Sequence, residues 1–275
     1  MRTDKDIISS RQNRDIVEAC KLCDRKGREK SGLFRIDGIK LSLEALECGV
    51  GIERIFVRES SQERIEKILG NSADGIRITL VSDSVFEKLT EEKSPEGIIC
   101  IAKHLDNLRK IDKIDKRDSF FEKSGRIFLA ESVRDPGNVG TLVRSANAMG
   151  CDRIVISEDC ADLYNPKAMR AAMGAMFRLE IAVVSSLPEA ICALIENGRR
   201  VFSAALDENA QKLGAFELCP SDCFVIGNEG HGLTEKTLES CTGSVFIPMK
   251  KGAESLNASA AAAVLLWEQA RLFGC

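Results

Sequence analysis

The sequence predicts an α/β protein of two modules, the second built on a parallel sheet with helices on both faces. Three observations predict it. Across the second half, short apolar runs such as Ile127–Ala130, Arg153–Ser157 and Cys223–Ile226 alternate with longer helical segments, and strands alternating with helices make parallel sheets. A mixed-charge stretch, LDNLRKIDKIDKRDSFFEKSG at 105–125, has no core periodicity and divides the chain. A length of 275 residues is ample for two domains. The boundaries expected are a first domain over 1–105, a linker or solvated helix over 106–125, and a second domain over 126–275.

In the first half, helices are expected over Asp6–Lys21, Ser42–Cys48, Ser61–Leu69 and Ser82–Thr90. Strands are expected at Arg35–Asp37, Arg54–Val57, Ile76–Val81 and Gly97–Ala102. No catalytic cluster stands out there. In the second half the strand Ile127–Ala130 leads through a Pro-Gly turn into a helix over Val139–Met149, ended by Gly150. A strand at Arg153–Ser157 and helices at Asn165–Met176 and Ser186–Glu196 follow. Strands at Val201–Ala205, Cys223–Ile226 and Val245–Pro248 precede a long helix over Leu256–Phe273.

The bulk numbers exclude several classes. A hydrophobic fraction of 44% suits a soluble globular chain, and no apolar run reaches the ~20 residues of a membrane span. The charged N-terminus reads as no secretion signal, so the expected compartment is the cytoplasm. Eleven cysteines, an odd number in a chain of this size, argue for reduced thiols, mostly buried as small hydrophobes. One CxxC (Cys20, Cys23) and two histidines do not make a zinc site, and no metal is expected. The net charge of −3 carries no global nucleic-acid signal. Lys21, Arg25, Lys26, Arg28 and Lys30 do cluster, which leaves open a solvated helix end or an RNA contact.

Ligands on parallel sheets sit at the carboxyl ends of the strands, and three loops there are unusual. After Ile127–Ala130 comes Arg134-Asp135-Pro136-Gly137-Asn138, where Asn138 is placed to cap the helix. Arg144 lies nearly two turns further on, either a solvent-face arginine or a cation aimed at an anion such as phosphate. After Cys223–Ile226 comes Gly227-Asn228-Glu229-Gly230-His231-Gly232, whose glycines let backbone approach a ligand. The spacing G-x-x-G-x-G supports neither a dinucleotide fold nor a P-loop. His231 reads as structural or solvent-facing. The third loop runs from Ile247-Pro248-Met249 to Glu254-Ser255-Leu256-Asn257, followed by the small residues Ala258 to Ala263. Ser255 is placed there as an N-cap.

Taken in order, DPGNVGTLVRSANAMG, GNEGHGL and IPM…ESLNASAAAA resemble the three signature motifs of the SpoU (TrmH) branch of the SPOUT RNA methyltransferases. NPKAMRAAMGAMFRL is similar to the same family. The likeness runs from about Ile127 to the C-terminus. More weakly, FRIDGIKLSLEAL and SPEGIICIAK in the first half resemble the family's small substrate-binding domain. The resemblance implies an α/β SPOUT domain with a C-terminal trefoil knot, preceded by a small L30e-like α/β domain. It implies S-adenosylmethionine as methyl donor, a ribose 2′-hydroxyl in structured RNA as acceptor, and a homodimer. By the same resemblance, Arg144 handles the phosphate and ribose of the target nucleotide and Asn138 shapes the loop beside it. Glu229 positions Arg144 or the RNA, and Ser255 and Asn257 complete the polar site. Gly227, Ile247 and Leu256 hold the donor, with Asn228, Met249 and Ala258 beside them. This chain carries Asn228 where the family often has Ala or Ser. Ribosomal RNA is the expected substrate. A transfer-RNA enzyme, a non-catalytic RNA-binding protein of the same fold and a nucleotide-dependent oxidoreductase are the alternatives. Retention of Asn138, Arg144, Glu229, Ser255 and Asn257 opposes the second, and the glycine spacing opposes the third.

Overall fold

The computed structural model describes residues 2–3, 6–207, 209–250 and 255–275. It divides into two compact units: Met1–Asp106 with Tyr164–Phe177, and Asn107–Leu163 with Arg178–Cys275.

The first unit is a five-stranded mixed sheet with helices. Its elements are β1 (Arg2–Thr3), α1 (Arg14–Lys21), α2 (Arg25–Ser31), β2 (Leu33–Asp37), α3 (Ile39–Glu47), β3 (Ile52–Arg58), α4 (Gln62–Leu69), β4 (Arg77–Val81), α5 (Asp83–Leu89) and β5 (Ile98–Lys103). Strand order is β1-β4-β3-β5-β2. β3 runs parallel to β4 and antiparallel to β5, which is also antiparallel to β2. Helix α1 begins later than the charge pattern suggests, because the Asn13 side chain accepts from the Asp15 N–H and starts it there. Helix α2 was not legible: its one buried residue is Arg28, so it has no apolar stripe. That arginine also leaves the basic cluster. It is 3% exposed and donates to the Leu22 and Cys23 carbonyls at 2.7 Å each. The segment Tyr164–Phe177 belongs to this unit through Tyr164, which accepts from the Leu105 N–H at 2.7 Å and stacks on His104 with centroids 4.4 Å apart.

The second unit is an eight-stranded sheet with every pairing parallel. Its strands are β6 (Leu108–Ile111), β7 (Ile127–Ala130), β8 (Arg153–Ser157), β9 (Glu180–Val184), β10 (Val201–Ala204), β11 (Gln211–Lys212), β12 (Cys223–Ile226) and β13 (Gly243–Phe246). They lie in the order β11-β13-β10-β12-β7-β8-β9-β6. The helices in chain order are α6 (Pro136–Ala148), α7 (Pro166–Ala172, in the first unit), α8 (Leu187–Glu196), α9 (Glu235–Ser240) and α10 (Ala258–Phe273). Strands β7, β8 and β12 are buried at every position, as uninterrupted apolar runs require when a sheet is covered on both faces.

Several expectations change. The stretch 106–125 is neither linker nor helix. It supplies edge strand β6, paired with β9, and a single turn that buries Phe120 and Phe121. Two buried guanidinium groups hold that turn by backbone carbonyls: Arg153 donates to Ser119 and Phe120, and Arg199 to Glu122, Ser124 and Gly125. Phe121 is fully buried in the core with Leu187, Ile191 and Val201. Phe121→Ala should therefore cost about 3–5 kcal/mol in a urea titration, as a core Phe does; a true linker residue would cost under ~0.5 kcal/mol. Helix α7 stops at Met173, whose left-handed φ of 48° precedes Gly174, so the helix expected to Met176 is shorter. Strand β9 and helix α9 were not foreseen. Helix α9 buries only Thr237 and has no apolar period to read.

Four of the eleven thiols are buried and three exposed, so burial is less general than composition suggests. Where it is complete it has the expected effect: desolvation pushes Cys151 up to about 12 and Cys223 up to about 11, keeping both neutral. No helix among the described residues is long and apolar enough to cross a membrane.

Candidate functional site

Strands β7 and β12 are neighbours in register, Ala130 opposite Ile226, so the loops leaving their carboxyl ends start side by side. The Glu131 N–H continues the ladder to the Ile226 carbonyl at 2.8 Å. The Glu131 side chain, 5% exposed, crosses to the second loop. It accepts from the Thr234 N–H at 2.8 Å, the Thr234 hydroxyl at 3.0 Å and the Thr237 hydroxyl at 2.5 Å. A buried carboxylate is tolerated because these donors replace its water.

The first loop ends at Asp135, which caps α6 by accepting from the Asn138 N–H at 3.0 Å, with Pro136 in the first turn. Asn138 is therefore not the cap, and its side-chain amide is left for the site. It donates to the Glu229 carboxylate at 2.5 Å. Its carbonyl accepts from the Asn257 amide at 3.0 Å and the Ser259 hydroxyl at 3.4 Å.

Asn257, not Ser255, caps α10. Its Oδ1 accepts from the Ser259 and Ala260 N–H groups at 3.0 and 3.4 Å and from the Ser259 hydroxyl at 2.7 Å. One residue thus starts the last helix with its oxygen and joins the first loop with its nitrogen. Residues from all three loops meet in a single chain, Glu229–Asn138–Asn257–Ser259. Ser259 was missed by sequence reasoning. In ASAAAA it reads as one more small helix former, and only its spacing of two from Asn257 hinted at the contact.

Beside this cluster lies a cavity of about 400 Å³, of the size that takes a nucleoside-sized ligand. All six residues expected to hold the donor line it: Gly227, Asn228, Ile247, Met249, Leu256 and Ala258. Ser255 and Glu229 line it too. Ser255 is exposed and, among the described residues, makes no side-chain hydrogen bond to the cluster. Arg144 is exposed on α6, between buried Val143 and half-buried Ser145. Among the described residues no carboxylate or carbonyl pairs with its guanidinium, and Glu229 is engaged by Asn138 instead. Glu254 lies outside the described residues.

The walls fit S-adenosylmethionine. Ile226, Leu233, Val245 and Phe246 supply apolar surface, and Asn228, Glu229, His231 and Ser255 bring polar side chains to the lining. Gly227 brings its backbone against the far side of its own loop, where a Cβ would lie 2.5 Å from the Gly232 oxygen. Among the described residues no three His, Cys, Asp or Glu side chains converge as metal ligands.

The sequence profile of the SpoU rRNA Methylase family matches residues 125–267, and that of the MRM3-like substrate binding domain matches 13–100. The chain is 30% identical over 262 residues to the 23S rRNA (guanosine(2553)-2'-O)-methyltransferase RlmP of Bacillus subtilis, covering 94% of this chain and 97% of that one. It is similar to the crystal structure of an RNA 2'-O ribose methyltransferase with a TM-score of 0.79 and 27% identity, over 97% and 98% of the two chains. An AdoMet-bound rRNA methyltransferase from Sinorhizobium meliloti shares the fold with a TM-score of 0.82 at 24% identity, over 98% of each chain. With three loops meeting at the sheet's carboxyl edge and its profile spanning that whole region, the chain belongs to the SpoU rRNA methylase family.

Proposed function

We propose that this protein transfers a methyl group from S-adenosylmethionine to a ribose 2′-hydroxyl of ribosomal RNA. One observation carries the reading: a donor-sized cavity lies against a cluster of amide, carboxylate and hydroxyl groups drawn from three separate loops. Ribosomal rather than transfer RNA is favoured by the profile over 13–100 and by the relative that methylates 23S rRNA.

When bound, S-adenosylmethionine supplies a methyl group on a positively charged sulfur, which asks only for an aligned oxygen nucleophile. Gly227, Ile247 and Leu256 hold it, with Asn228, Met249 and Ala258 beside them. The protein's remaining task is to bring the ribose oxygen into line and ease loss of its proton. An arginine, with a pKa above ~12, is a poor base. Arg144 instead grips the phosphate and ribose of the target nucleotide through its guanidinium fork, and the phosphate shares the proton. Glu229 fixes the Asn138 amide, and Asn138 in turn orders Asn257, so the rim is rigid before RNA arrives. Ser255 faces the cavity as a polar contact.

Three further features belong to this reading. The chain end is threaded as a trefoil knot, supported by α10 returning to place its cap on the first residues of α6. The first unit is an L30e-like substrate-binding domain over about 1–105. The enzyme works as a cytoplasmic homodimer, supported by Val264, Trp267 and Leu272, which stay exposed on α10.

The test incubates purified protein with tritiated S-adenosylmethionine and total RNA from a strain lacking this gene. Label should enter ribosomal RNA at one ribose, located by reverse-transcription stops at low nucleotide concentration. Absence of both label and donor binding by calorimetry would sink the proposal.

A further inference from the structure

Residue Asn228 stands at the start of the glycine loop and is half-buried. Both ends of its side-chain amide are engaged. The Oδ1 accepts from the Gly230 N–H at 2.8 Å and the His231 N–H at 3.2 Å, which folds the loop over itself. Its backbone exchanges both hydrogen bonds with Gly232, at 3.0 and 2.9 Å. The Nδ2 leaves the loop and donates to the Ser132 carbonyl at 2.8 Å.

That carbonyl is itself held in an unusual direction. Ser132 is one of two non-glycine residues with positive φ among the described residues, at 54°, a strained conformation that persists only where surroundings impose it. Here they do. The Ser132 N–H donates to the Ser157 hydroxyl at 2.8 Å, and its own hydroxyl donates to Asp159 at 2.5 Å. The Ser157 hydroxyl also donates to Asp159, at 2.6 Å. Burial pushes the Asp159 carboxyl up, but the two hydroxyls, its own backbone N–H and the Arg134 charge together hold it below its usual value.

We propose that Asn228 is a positioning residue for donor binding, fixing the glycine wall of the cavity to the strained Ser132 carbonyl at the end of β7. The inference rests on the assignment of this cavity to S-adenosylmethionine. Without the side chain, the Gly230 and His231 N–H groups lose their acceptor and the loop is free to spread. The cavity then has to be re-formed each time the donor binds, which weakens affinity without touching the reacting atoms.

Calorimetry of S-adenosylmethionine on wild type, N228A and N228D, with donor KM and kcat at saturating RNA, separates the possibilities. Loss of the three side-chain hydrogen bonds, at the low end of their usual net worth in a half-exposed loop, predicts a dissociation constant raised about tenfold in N228A. N228D keeps the acceptor for Gly230 and His231 but cannot donate to Ser132, so its dissociation constant should rise about threefold. In both, donor KM should follow binding while kcat stays within about threefold, a split that general loss of structure would not give. If N228A does not fold, the near-isosteric N228D decides alone. Binding by N228D, and by N228A where folded, within twofold of wild type overturns the inference. Failure of wild type itself to bind the donor overturns the cavity assignment, and this inference with it.

Discussion

Arg144→Ala should reduce methyl transfer about a thousandfold or more while leaving the fold and the donor dissociation constant within about twofold of wild type. The asymmetry follows from where the residue sits. Leu142, Val143 and Ala146 turn the other side of α6 into the core, so the helix does not depend on Arg144 for packing. Its guanidinium has no partner among the described residues, and removing it strands no buried group. The wall residues of the cavity come from other elements. What is lost, on the proposed mechanism, is a forked cation available to the phosphate of an incoming nucleotide. Arg144→Lys keeps the charge but replaces two parallel N–H donors with a point charge, and should recover only part of the rate. The measurement is single-turnover transfer from tritiated donor, with calorimetry on the same preparations. Near-wild-type turnover in Arg144→Ala would remove the residue from catalysis. Full recovery in Arg144→Lys would leave charge alone, without the fork, as the requirement.

Three strands of the second unit were legible because they are buried on both faces: IFLA, RIVIS and CFVI are apolar through their middles, and their observed bounds equal the expected ones. Elements held by polar groups were not legible. Helix α2 is pinned by a buried arginine on carbonyls, α9 by threonines on Glu131, and the turn at 119–121 by Arg153. A charge run looks the same in sequence whether its arginines meet water or backbone. The capping residues show a similar limit. Asn138 and Ser255 both have side chains able to cap, yet Asp135 and Asn257 do so, and local chemistry does not rank neighbours three or two residues apart. The tertiary consequence was larger than the local one. Because Asp135 takes the helix end, the Asn138 amide is free to bridge Glu229 and Asn257. The contacts of that bridge, across separations of 91 and 119 residues, are not written in any local pattern.

Gly227→Ala should abolish measurable donor binding, raising the dissociation constant about a hundredfold, and transfer should fall with it. The cause is space rather than backbone conformation. A methyl group at this position would lie 2.5 Å from the Gly232 carbonyl oxygen and 2.6 Å from the Leu233 nitrogen. Both are backbone atoms and cannot rotate away. The loop must open, and Gly232 is tied to Asn228 by two hydrogen bonds while Thr234 is tied to Glu131. Overpacking of this kind costs about 1–3 kcal/mol, whose upper end corresponds to about a hundredfold in affinity. The strain is local, because Gly227 follows β12 and the strand pairs with β7 and β10 at earlier residues. Thermal unfolding of the donor-free protein should therefore shift by only a few degrees. Gly230 provides the contrast within the same loop. A Cβ there meets only the Asn228 Oδ1 at 3.4 Å, an ordinary contact at an exposed position, so Gly230→Ala should weaken binding far less. Equal losses from the two substitutions would mean that the loop tolerates no side chain anywhere, and that flexibility rather than the close approach at Gly227 governs the site. Wild-type binding by Gly227→Ala would mean that this loop is not the wall against which the donor rests.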